Sequence, residues 1–272
     1  KRKFYKKHFI LRLQRSGISS KISIVIPTLD ARILITDCRN KSDNDILICH
    51  SRAPTRESIA EDYLVKLDNG KNILGDSMKI NILLFDKFET LDAFGPAEIF
   101  GKAQEFELEY FSLAGGIVTS SQNVSVVTKT IIEAKQDSVW LVPGGEGTRS
   151  LIHDADFLFK LKQLAQKSKF CLSVCTGSAL LAKCGALDGM RATSNKRAFD
   201  WVKSTSQKTL WIEKARWVVC GKFYTSSGIS AGMDMALGFV SDTLGKNRAT
   251  EIARRIEYVW NDNPEKDDFS AN

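Results

Sequence analysis

Cys175 stands where an apolar run, Phe170 to Val174, gives way to Thr176, Gly177, Ser178 and a helical pattern through Cys184. A sharp turn from strand to helix is the geometry that exposes a nucleophile. Gly177 would let the main chain pass close to its neighbours at such a turn. A thiol there would face helix N–H groups and the positive end of the helix dipole, and both favour the thiolate. An unperturbed thiol, with a pKa of ~8.5, is only about 3% ionised at pH 7, so any lowering matters. The competing reading of a cysteine is a small buried hydrophobe. That reading is preferred for Cys171, Cys184 and Cys220, while Cys38 and Cys49 carry no signal.

Asp92, in FETLDAFGP, follows one apolar run and precedes a helix. It could cap that helix. If it faces Cys175, the two groups cannot both be anions at short range, so they share a proton and titrate as a unit. A protonated Asp92 donating to a thiolate would hold the nucleophile and then act as general acid. Gly144 and Gly145, after Pro143, offer main-chain N–H groups for a developing negative charge. A tight turn after a strand is compatible with that role. Asn195, next to Ser194, follows the strand-like Arg191 to Thr193; it can donate a hydrogen bond but cannot serve as a base.

The histidines, His8, His50 and His153, are scattered, and His153 reads as a surface residue. There is no CxxC and no Cys/His metal spacing, so neither a metal site nor another cofactor is expected. PGGEG lacks the lysine of a phosphate loop.

The elements that must position these groups are legible in outline. Lys79 to Phe85 is a continuous apolar run, the pattern of a strand buried on both faces. A helix is expected to open at Gly95-Pro96 and run to about Gln104. Strands are expected over Phe106–Leu113, Ser125–Thr130, Ser138–Val142 and Lys169–Val174, and one helix over Thr148–Ser168. Short hairpin-type strands follow at Leu210–Glu213, Arg216–Cys220 and Phe223–Ser226, then helices over Ile229–Leu244 and Asn247–Trp260. Such alternation implies βαβ units and an α/β fold with a mainly parallel sheet. In that architecture the active site lies beyond the carboxyl ends of the strands. Asp86 to Asp92, Gly144-Gly145 and Cys175 all fall there.

Before Met78 the pattern differs. Lys21–Pro27, Ile33–Thr36 and Ile46–Cys49 read as strands, Ser58–Leu67 as a helix with capping-box spacing, and Asp68–Ser77 as a linker. The net charge of +7 arises mainly from Lys1 to Arg15, which holds seven basic residues and no acidic one. A solvated tail is the default reading of such a run, with organelle targeting as the alternative, and no specific nucleic-acid partner is expected. The longest apolar runs are far shorter than the ~20 residues of a membrane span. With no signal peptide in view, the thiols are read as free in a reducing, cytoplasmic compartment.

Four motifs in order carry a family resemblance: MKINILLFDKFETLDAFGPAEIF, LVPGGEGTR, SVCTGSALLAKCGALDGMRATSN, and YTSSGISAGMDMALGFVSDTLG followed by ATEIARRIEYVW. From residue 78 to about 264 the chain resembles the DJ-1/PfpI superfamily of the class I glutamine-amidotransferase-like fold. The resemblance implies a flavodoxin-like three-layer sandwich with a cysteine nucleophile elbow. Met78 looks like a natural start for the family, making residues 1–77 an extension and 265–272 a C-terminal tail. SIVIPTL within the extension also resembles the opening of nucleotide-sugar glycosyltransferases, though no acidic metal motif follows it.

Thr176 after the cysteine, where protease-type members carry histidine, resembles isonitrile hydratase and the ligand-sensing domains fused to AraC-type regulators. By that resemblance Cys175, Asp92 and Thr176 are the catalytic set, and Gly144, Gly145, Gly177 and Asn195 bind substrate or negative charge. Relatives usually have histidine at Asn195, which weakens any mechanism needing a second base. The implied activity is hydration of a small electrophile to an N-substituted formamide by a homodimer. The alternatives are a glyoxalase- or deglycase-type activity and a non-enzymatic small-molecule or oxidant sensor acting through Cys175.

Overall fold

The computed structural model describes residues 77–135 and 137–270, with the backbone of two short strands before them. Those strands, β1 (Lys66–Asp68) and β2 (Lys71–Ile73), pair antiparallel. They replace the end of the expected Ser58–Leu67 helix and part of the expected linker. The expected strands Lys21–Pro27, Ile33–Thr36 and Ile46–Cys49 lie outside the described residues.

From Met78 the order is β3 (Met78–Leu83), α1 (Thr90–Gly101), β4 (Phe106–Ser112), β5 (Gly116–Thr119), β6 (Ser125–Thr130), β7 (Val139–Val142), α2 (Thr148–Leu151) and α3 (Ala155–Lys167). There follow β8 (Phe170–Ser173), α4 (Gly177–Lys183), β9 (Arg191–Ala192), α5 (Phe199–Thr205) and β10 (Leu210–Trp211). The last elements are β11 (Trp217–Cys220), β12 (Phe223–Ser226), α6 (Ala231–Leu244) and α7 (Lys246–Arg255).

Eight strands form one sheet in the order β11-β12-β8-β7-β3-β4-β6-β5. Strands β12, β8, β7, β3, β4 and β6 run parallel, and the edges β11 and β5 pair antiparallel to their neighbours. The central strands β7 (VWLV) and β8 (FCLS) are buried at every residue, as strands covered on both faces must be. Helices flank the sheet in two groups: α1 packs on α6 and α6 on α7, while α4 packs on α2, α3 and α5. This is a flavodoxin-like α/β sandwich. Beneath α6, Phe100, Phe106, Phe170 and Tyr224 gather around Phe239 at centroid distances of 5.2–6.2 Å. Such pairs add to the stabilisation that burial alone provides.

Several boundaries differ from expectation. Helix α1 begins at Thr90, so Pro96 lies inside it and Asp92 in its first turn. Proline lacks the N–H that would bond the Asp92 carbonyl, a local loss the helix tolerates. The single helix expected over Thr148–Ser168 is two, because Asp154 Oδ1 accepts Phe157 N–H at 3.0 Å and starts α3 afresh. Strand β10 pairs parallel with β9 instead of forming a hairpin. Strand β5 and helix α5 have no counterpart among the expected elements.

The chain beyond α7 folds back onto the core. Arg216 pairs with Asp234 at 2.6 Å and approaches Asp267 at 3.7 Å, all three being buried. Tyr258 O–H and Asn261 N–H both donate to Asp234 Oδ1 at 3.0 Å. Among the described residues no helix is long and apolar enough to cross a membrane, and no cluster of His, Cys, Asp and Glu could hold a metal ion.

Candidate active site

Cys175 lies between β8 and α4 with φ 57°, a left-handed conformation that costs a non-glycine residue of the order of 1–3 kcal/mol. Its own main chain is pinned on three sides. Cys175 N–H donates to the Ser227 carbonyl at 3.0 Å, and its carbonyl accepts from Ser194 Oγ at 2.8 Å and Ser178 Oγ at 3.0 Å. The strained elbow is therefore held by the ends of β9 and β12 as well as by α4. A Cβ on Gly177 would lie 2.2 Å from the Val142 carbonyl oxygen, so the turn passes β7 too closely for any side chain.

Asp92 comes to the same point from α1. It is fully buried, and its Oδ2 accepts Gly144 N–H at 3.0 Å, across to the end of β7 and away from its own helix. Its other oxygen, Oδ1, accepts no well-aligned hydrogen bond, while the carboxyl lies within short range of the Cys175 thiol. Burial raises the Asp92 pKa to about 7 against the pull of the Gly144 N–H, and the charge of Glu89 adds to the rise.

The thiol is also pushed up, first by burial and then by the Asp92 charge. The lowering expected from a helix terminus is thus overridden, since α4 is only seven residues long and desolvation dominates. Thr176 and Asn195 oppose the rise by hydrogen bonding to the sulfur. Asn195 Oδ1 accepts Ala198 N–H at 3.1 Å, which fixes the amide and leaves its NH₂ for the thiol. A Cβ on Gly228 would lie 2.3 Å from Asn195 Nδ2, so glycine there makes room for that amide.

The glycine turn does a different job in this state from the one expected of it. Gly144 N–H is engaged by Asp92, and Gly145 N–H by Thr176 Oγ1 at 3.1 Å. Neither amide is open to a developing charge. Both glycines are sterically required: a Cβ on Gly144 would lie 2.6 Å from Thr176 N and Oγ1, and one on Gly145 2.4 Å from Glu89 N. Thr148, buried on α2 and without a distinguishing signal in the sequence, donates to the Gly145 carbonyl at 2.7 Å and lies 3.1 Å from Thr176 Oγ1. The Thr176 hydroxyl thus braces the turn that holds the acid. The structure brings Cys175, Asp92, Thr176, Gly144, Gly145, Gly177 and Asn195 into one cluster. His153 is exposed between α2 and α3, away from this chemistry.

A mainly parallel sheet with a strained cysteine elbow, met by a buried acid from the helix after β3, defines a class of cysteine-centred α/β proteins. Residues 78–242 match the model of the DJ-1/PfpI family, and the chain belongs to that family. It is 30% identical to isonitrile hydratase of Pseudomonas putida over 184 residues, 67% of this chain and 79% of that one. It is 26% identical over 181 residues to the HTH-type transcriptional regulator CdhR of Pseudomonas aeruginosa, spanning 64% of this chain and about half (53%) of the regulator. Among solved structures, a THiJ/PfpI family protein from Pseudomonas syringae superposes with a TM-score of 0.60 at 27% identity, covering 67% of this chain and 75% of that one.

Proposed function

We propose that this protein is a cysteine-dependent hydratase acting on a small electrophilic carbon, with isonitriles as the leading substrate class. The observation that carries the reading is the meeting of Asp92 and Cys175 in one buried cluster, where together they retain a proton at neutral pH. In the reactive tautomer that proton is on Asp92 and the sulfur is a thiolate. The sulfur attacks the terminal carbon of R–N≡C, a C–S bond forms, and Asp92 delivers its proton to the same carbon. The product is a thioimidate, R–N=CH–S–Cys175.

Water then adds to that carbon. One of its protons goes to nitrogen and the other returns to Asp92, the C–S bond breaks, and R–NH–CHO leaves with the thiolate restored. The cycle needs one nucleophile and one matched proton carrier, so asparagine at position 195 does not impede it. Asn195 and Thr176 stabilise the thiolate by donating to sulfur. A mechanism that demands a second base finds no imidazole in the cluster, which disfavours the glyoxalase-type reading.

The likeness to a transcriptional regulator supports a second reading, a ligand-sensing domain without turnover. Formamide production from isonitriles by the wild type, lost in Cys175→Ala, is the expected result. Turnover that survives Cys175→Ala excludes the nucleophile. Absence of turnover, with saturable isonitrile binding, favours the sensor.

A further inference from the structure

Arg149 lies on α2, just after the Gly144-Gly145 turn, and its residue is exposed. Its guanidinium carbon stands 3.4 Å from the centroid of the Trp201 ring. Trp201 is half-buried on α5, which begins soon after the Asn195 amide is anchored on Ala198. The stacked pair therefore joins the segment that holds Asp92 to the segment that holds the thiol. Thr148, the residue before Arg149, has its hydroxyl 3.1 Å from that of Thr176, which directly follows Cys175.

Two other arginines hold carboxylates: Arg216 holds Asp234, and Arg248 holds Glu105 and Glu251. Among the described residues no carboxylate or carbonyl accepts from the Arg149 guanidinium. An arginine stacked on an aromatic face is restrained in place while the N–H groups along its edge stay open to a partner. Those N–H groups form a fork that matches a carboxylate in two parallel hydrogen bonds. A stacked guanidinium with no partner among the described residues, on the turn next to the residue that follows the nucleophile, is an arrangement for reading charge on the molecule that the nucleophile attacks.

We propose that Arg149, held on Trp201, forms an anion subsite, and that the substrate carries a carboxylate or similar anionic group near its electrophilic carbon. This deepens the hydratase reading and rests on it for the identity of the reaction. The subsite itself can be tested without turnover. Iodoacetate and iodoacetamide are similar in size and alkylate the same sulfur, but only iodoacetate is anionic.

The two alkylation rates are measured at the Cys175 peptide by mass spectrometry, in the full chain at low salt. The ratio of the iodoacetate rate to the iodoacetamide rate is expected to fall about fivefold in Arg149→Gln, the worth of roughly one exposed charge contact. Arg149→Lys should restore part of it, Trp201→Leu should lower it, and salt should erode the wild-type ratio. A ratio that changes less than twofold in Arg149→Gln, or two rates that fall by the same factor, overturns the proposal; in the latter case the arginine acts on the thiol and not on the incoming molecule. If the charge preference stands but no isonitrile turns over, the hydratase reading fails and the subsite does not. If both stand, a carboxylate-bearing isonitrile should exceed its methyl ester in kcat/KM, and Arg149→Gln should remove that difference.

Discussion

Asp92 Oδ2 accepts the main-chain N–H of Gly144 at 3.0 Å, and this single contact sets the acid beside the sulfur of Cys175 instead of on its own helix. The first turn of α1 is thereby tied to the end of β7, and the proton inventory of the pair follows from their burial.

The pH profile should report the pair. Below about 7 both Asp92 and Cys175 are protonated, and above it one proton remains, to be shared. The one-proton form is the reactive one, so iodoacetamide alkylation of Cys175 should rise as pH increases through about 7 and then level. In Asp92→Asn that limb should vanish. A wild-type rate that rises only above about pH 8.5, like a free thiol, would mean the two groups are not coupled.

Stability should run the other way. The folded-state pKa of Asp92 lies above its unfolded value, so the carboxyl contributes most to stability at low pH and loses that contribution as pH rises toward about 7. A tenfold change in proton affinity is worth ~1.4 kcal/mol, so Asp92→Asn should gain a few kcal/mol at about pH 8 and little at about pH 4. Urea denaturation of both proteins at the two pH values measures this. Equal stability changes at both would show that no buried carboxyl titrates at this position.

Asn195→Asp should slow alkylation of Cys175 by at least about tenfold at pH 7. It replaces a donor to sulfur by a second carboxyl and raises the thiol pKa further. Asn195→Ala should have a smaller effect on reactivity, accompanied by loss of the anchor on Ala198 N–H. An Asn195→Asp protein that alkylates at the wild-type rate would show that the amide does not reach the sulfur.

Gly144→Ala should disable the site. The added Cβ would meet Thr176 N and Oγ1 at 2.6 Å and Asp92 Oδ2 at 2.8 Å. Displacing the acid should abolish the rising limb of the alkylation profile near pH 7, whatever stability remains. A Gly144→Ala protein with that limb intact would show that the turn can yield without moving Asp92.

Asp234→Ala should cost about 3–5 kcal/mol, because it leaves the Arg216 guanidinium buried beside Asp267 alone and frees Tyr258 and Asn261. Denaturation by urea and protease sensitivity after residue 256 read the two consequences. A loss under about 1 kcal/mol would mean the cluster is dispensable.

Sequence alone determined the alternation of strands and helices from Met78, because the central strands are apolar at nearly every position and local periodicity records burial. It also placed a cysteine at an elbow, an acid after an apolar strand and glycines after another, since the strand-to-helix changes of pattern are local and read directly from the residues. Misreadings came where two local signals compete: Pro96 has the look of a helix start, and the cap at Asp154 is hidden inside a continuous amphipathic pattern. Only the tertiary structure decided which donors are engaged and which way the pKa values move. The pull of a helix terminus on a thiol is short-ranged and can be inferred from neighbouring residues. The desolvation that outweighs it arises where Asp92, Gly144, Asn195 and Ser227 converge from separate segments, and no stretch of sequence contains that information.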